Sequence, residues 1–92
     1  MKSGLRQDRE AAEMLAIQAL AFIAEEPERL NRFLEMTGIP LAEIRAAAGA
    51  PGFLAGILEH MLGDESLLIA FATSAGIDPA EVARARSALG KG

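Results

Sequence analysis

The sequence predicts an all-α protein: a compact six-helix bundle built from two tandem three-helix repeats. Three observations predict it. Of the 92 residues, 51% are hydrophobic and nineteen are alanine, with a single valine. Alanine and leucine are the strongest helix formers, whereas β-branched and aromatic residues favour strands. Prolines and glycines fall where helices would start and stop, at Pro27, Gly38, Pro40, Gly49, Pro51, Gly63, Gly76 and Pro79. Finally, a shift of 38 residues lays the chain on itself without a gap. Leu20 then falls on Leu58, Ile23 on Met61, Leu30 on Leu68, Phe33 on Phe71, and Gly38-Ile39 on Gly76-Ile77. Two repeats are too few for a solenoid, so a bundle is expected.

Residues 1–8 show no periodicity and are expected to form a flexible arm ahead of a single helical domain over residues 9–92. The first repeat spans about residues 9–49 and the second about residues 50–90. Asp8 is the expected N-cap of helix one, Arg9 to Ala24. That helix is apolar over most of its circumference, which predicts a buried, central position. Its polar residues Gln18 and Glu25 lie on one stripe, flanked by Ala11, Met14 and Ala21. Pro27 opens helix two, where acidic neighbours complement the N-terminal dipole, and Leu30, Phe33 and Leu34 point inward. Gly38 is the expected left-handed stop, with Ile39 packing beyond it. Helix three runs from Pro40 to Gly49 through Leu41, Ile44 and Ala47. Helix four opens at Pro51 and ends at Gly63, and Asp64 caps helix five. Asp78-Pro79-Ala80-Glu81 starts helix six in a near capping box, and the helix ends by Leu89. Gly90 to Gly92 is tail.

Nearly the whole chain beyond residue 8 resembles an uncharacterised alphaproteobacterial family, domain of unknown function 3572. The resemblance rests on Ala16 through Ala24, Glu26-Pro27-Glu28-Arg29-Leu30, Arg32-Phe33-Leu34 and Thr37-Gly38-Ile39. Asp64 through Leu68, Phe71-Ala72 and Ala75 through Pro79 continue it. It implies a short bacterial cytoplasmic protein and brings no activity with it.

Composition narrows the function. There is no cysteine for a disulfide, a thiolate or a cysteine metal site. No signal peptide is visible, and the longest apolar run, Met14 to Ala24, is shorter than the roughly 20 residues that cross a bilayer. Cytoplasm is the expected compartment. The net charge of −4 and the lack of Trp and Tyr make nucleic acid an unfavoured partner.

Catalysis is not expected. His60 is the one histidine, replaces Phe22 in the repeat overlay, and reads as an aromatic-like packing position before it reads as a ligand-pocket residue. The acidic clusters Glu25, Glu26, Glu28 and Asp64, Glu65 could face each other across a pseudo-twofold, but helix-dipole complementation accounts for them without a metal. No cofactor is implied. The stretch from Leu68 to Ala85 has helix-turn-helix spacing, with Arg84 and Arg86 as candidate nucleic-acid contacts. Asp78 and Glu81 occupy the places where a DNA-reading helix carries basic groups, which favours a plain corner. Arg29, Arg32 and Arg45 form at most a mixed-charge face with Glu26, Glu28 and Glu35.

The favoured function is a small, non-catalytic helical protein-interaction module, alone or as a homodimer. Gly52, Gly56 and Met14 are its candidate interface. A nucleic-acid-associated regulator using residues 68–85 is the alternative.

Overall fold

Helix α1 spans Lys2–Ala24 and is the spine of the molecule. The computed structural model describes residues 2–47 and 49–89, with side chains for all of these except residues 2–7 and Pro51. Met1 and the expected tail, Gly90 to Gly92, lie outside the described residues. After α1 come α2 (Pro27–Thr37), a 3₁₀ turn (Leu41–Glu43), α3 (Ile44–Ala47), α4 (Pro51–Leu62), α5 (Glu65–Ala75) and α6 (Ala80–Leu89). Among the described residues there is no strand. The protein is an all-α bundle.

Helix α1 begins well before the expected Arg9. Residues 2–8 are helical, and Asp8 sits inside the helix rather than capping it. No proline or glycine stop separates Leu5 from Arg9, so nothing local ends the backbone ladder there.

The helix ends obey their local chemistry. Pro27 and Pro51 sit in the first turns of α2 and α4. The Asp64 carboxylate accepts from the Leu67 N–H at 3.2 Å and caps α5. Asp78 accepts from the Ala80 N–H at 2.8 Å where α6 starts. Gly38 and Gly76 both adopt left-handed backbone, with φ of 74° and 71°. At Gly76 the stop is a full Schellman motif: Ile77 N–H donates to Ala72 C=O at 3.0 Å and Gly76 N–H to Thr73 C=O at 3.3 Å. At Gly38 a single bond to Leu34 C=O, 2.8 Å, does the same work.

Helices α1, α4 and α6 pack on one another, α2 packs on α1, and α5 packs on α4. The largest fully buried side chains of the core are Ile23, Phe33, Ile57, Leu58, Met61, Val82 and Leu89, and Phe22 and Phe71 are buried with them. α2 and α5 are both 11 residues long and coincide under the 38-residue shift. The ring of Phe22 on α1 meets Phe71 on α5 at 5.5 Å. The ring of Phe33 on α2 meets His60 on α4 at 5.1 Å. Under the shift Phe22 becomes His60 and Phe33 becomes Phe71, so each of the two contacts maps onto the other.

The third helix is shorter than its spacing predicts. It is only a 3₁₀ turn and one α turn, and none of it is buried. Its counterpart α6 has ten residues and buries Val82, Ala85 and Leu89. Pro51 opens α4 with Ala50 in extended backbone (φ −89°, ψ 130°), which bars a helix from running through Ala50 but does not reach Ala47, where α3 ends. Helix α1, moreover, is not buried all round. Met14 is 64% exposed and Ile17 51% exposed, and Ala11, Gln18 and Ala21 are also on the surface.

Candidate functional site

Helix packing leaves a cleft of about 960 Å³ between α1 and α6. Small side chains make it. Ala11 and Ala12 on α1 and Ala83, Ala85, Ser87 and Ala88 on α6 line it, and of these Ala12 and Ala85 are buried in the core. Met14, Leu15 and Gln18 add an apolar stretch with one amide, and Asp8, Glu81 and Arg84 bring charge. The lining is largely apolar with a few polar groups, and the cleft is open to solvent.

The structure divides the three residues of the candidate interface. Met14 lines this cleft. Gly52 and Gly56 lie on α4 and do not line it. A Cβ at either glycine would meet nothing within 4 Å, so their smallness serves no close helix approach inside this chain.

The two candidate nucleic-acid contacts also part. Arg84 is exposed and lines the cleft. Arg86 is drawn to α4, where its guanidinium is ion-paired with the Glu59 carboxylate; its Nε–H donates at 2.8 Å. With Arg86 held there and Glu81 exposed at the start of α6, the corner presents, among the described residues, Arg84 as its one exposed arginine, beside acids. Sequence reading missed the Glu59–Arg86 pair because 27 residues separate the partners and no local spacing marks them.

His60 is half-buried, edge-on to Phe33 at 5.1 Å with planes at 79°. It lines neither this cleft nor a smaller cavity between α2 and α5. Burial lowers its pKa from 6.5; Asp64 opposes the shift and Arg32 adds to it. Asp64 is occupied with the Leu67 N–H and with Arg32, 3.8 Å away. The imidazole thus has an aromatic neighbour and a predominantly neutral state, with no nucleophile placed against it by these contacts.

The acidic helix starts do come together. Glu26, Glu28 and Asp64 share the smaller cavity, about 120 Å³, with Arg29, Arg32 and Leu67. The arginines supply the counter-charge. Arg29 pairs with Glu26 at 3.7 Å, donates to the Phe22 C=O at 3.3 Å, and stacks over the Phe22 ring at 4.1 Å. Among the described residues, no group of three or more His, Asp or Glu side chains is arranged to hold a metal. No single helix among them is long and apolar enough to cross a membrane.

Residues 9–92 match the model of a family described as a protein of unknown function, DUF3572. No curated protein and no solved structure matches the chain.

Proposed function

Because the chain belongs to the DUF3572 family, which supplies no activity to carry over, we propose a function from its own surface: a non-catalytic helical interaction module whose working face is the α1–α6 cleft. The observation that carries this is the cleft itself, about 960 Å³ with alanines on both walls and Met14 standing 64% exposed beside it. Exposed apolar surface costs hydration free energy, and covering it is what drives association. An amphipathic helix suits the shape, with its apolar residues against Met14 and Leu15 and its polar edges near Asp8, Glu81 and Arg84. The proposed setting is the bacterial cytoplasm, as the family resemblance implied.

The internal repeat belongs to the same reading. Two copies of one three-helix unit would explain the matched lengths of α2 and α5 and the exchanged aromatic pairs. In that view the second unit kept its third helix while the first lost most of its own to the turn before Pro51.

The test is affinity capture from nuclease-treated lysate of the source cells, comparing the natural chain with Ala88→Arg. Ala88 is exposed on α6, so the long side chain enters the cleft without disturbing the core. A protein, or the chain itself, retained by the natural sequence and lost with Ala88→Arg is expected. Retention unaffected by Ala88→Arg would remove the cleft as the interface.

A further inference from the structure

The stretch between α1 and α4 is fastened to the core by one buried side chain. Among the described residues from Glu25 to Ala47, Phe33 alone is buried, and Leu30, Leu34 and Ile44 meet the core with part of their surface. The equivalent helix α5 buries three residues, Leu67, Phe71 and Ala72. The ring of Phe33 meets two rings of α4, Phe53 at 6.1 Å and His60 at 5.1 Å, the two planes nearly perpendicular in each case. A segment that buries so little opens at a lower free-energy cost than the rest of the fold. We infer that the Phe33–His60 contact is a proton-controlled latch: protonation of His60 releases α2, the 3₁₀ turn and α3 from α4, while α1, α4 and α6 stay packed on one another.

The repeat supplies the contrast. The matching contact in the other half, Phe22 with Phe71, joins two hydrocarbon rings and has nothing to titrate. In place of Phe22 this half carries the chain's one histidine, half-buried against Phe33. Burial disfavours the charged imidazolium, Asp64 favours it, and Arg32 adds to the burial. These influences divide by element. Phe33 and Arg32 are both on α2, whereas Asp64 lies four residues beyond His60, at the N-cap of α5. Glu59, beside His60 on α4, is ion-paired with Arg86 of α6. Glu26, Glu28 and Arg29 line the small cavity with Arg32 and Asp64, and His60 does not line it. When α2 lifts away, Phe33 and Arg32 leave with it and Asp64 stays. The open form therefore binds a proton more tightly than the closed form, and by linkage the proton favours opening. Because the closed form holds His60 below 6.5, the latch is fully closed above pH 6.5 and weakens as pH falls toward the closed value. One proton limits the opening equilibrium to a rise of about tenfold per pH unit.

The test is amide hydrogen exchange of the full chain, read residue by residue from about pH 7.5 to 5 and corrected for the intrinsic pH dependence of exchange. Protection in α2 is expected to fall with pH, by no more than about tenfold per unit, while protection in α1, α4 and α6 holds. His60→Phe restores the ring that the other half carries at this place, and is expected to make α2 protection independent of pH. His60→Gln, uncharged throughout the range, is expected to do the same, and serves where the larger ring disturbs packing. Protection in α2 that is flat with pH in the natural chain overturns the latch. So does protection that falls equally in α1, α4 and α6, or a fall in α2 that is as steep in both variants as in the natural chain.

Discussion

Truncating either Phe33 or Phe71 to alanine should destabilise the protein strongly, and to a similar extent. Phe33 is fully buried, with Phe53 at 6.1 Å and His60 at 5.1 Å around its ring. Phe71 is 2% exposed and has Phe22 at 5.5 Å. Removing a buried phenylalanine ring costs about 3–5 kcal/mol, from lost transfer free energy plus the cavity left behind. A domain of this length has about 5–14 kcal/mol in total, so each variant forfeits roughly a fifth or more of it. At about 4–8 °C per kcal/mol, the melting temperature should fall by about 12–40 °C. The two losses should agree because the rings occupy positions related by the 38-residue shift and each closes one of the two exchanged aromatic contacts. With no Trp or Tyr in the chain, the assay is urea unfolding monitored by circular dichroism at helical wavelengths. A loss under about 1.5 kcal/mol for either residue would refute the placement of that ring at the centre of the core.

Three further outcomes rest on named contacts. Asp64→Ala removes both the cap on Leu67 and the partner of Arg32, and should cost about 1 kcal/mol; Arg32→Ala, whose side chain is 71% exposed, should cost less than about 0.5 kcal/mol. Gly56→Ala should stabilise by about 0.5–1 kcal/mol, because the added methyl meets nothing within 4 Å and the backbone gains helix propensity; a loss in denaturant unfolding would contradict that. His60 has its pKa lowered from 6.5 by burial, so the folded state favours the neutral ring, and its contribution is present above pH 6.5 and lost as pH falls through the folded value. His60→Phe should therefore gain stability relative to the natural chain as pH drops from about 7.5 to 5, and a pH-independent difference would contradict the shift.

Much of the fold was legible because its signals are local. Pro27, Pro51, Asp64 and the two left-handed glycines each act on the turn they sit in, and a helix end needs nothing else. Helix α3 was overestimated because Leu41, Ile44 and Ala47 have the right spacing for a buried face. Periodicity says nothing about whether such a face finds a partner to bury against.

Helix α1 failed in the opposite sense. Its apolar circumference suggested full burial, yet six helices of this length cannot surround it, and Met14 and Ile17 stay exposed. The sequence did mark the stripe that faces out, since Gln18 and its neighbours Ala11, Met14 and Ala21 were set apart from the inward side. The cleft was not legible. It is an open groove lined by residues of two helices far apart in sequence, and nothing local marks which exposed alanines will line it.

The methionines offer the most direct test that the α1–α6 cleft is the working face. Met14 lines the cleft at 64% exposure, Met36 is 73% exposed on α2 and does not line it, and Met61 is buried. Methyl-labelled methionine spectra recorded in dilute buffer and then in concentrated source lysate, or at high protein concentration, should show the Met14 signal shift or broaden while Met36 and Met61 hold. Movement of Met36 with Met14 unchanged, or no movement of any of the three, would contradict the cleft as the place where this protein meets its partner.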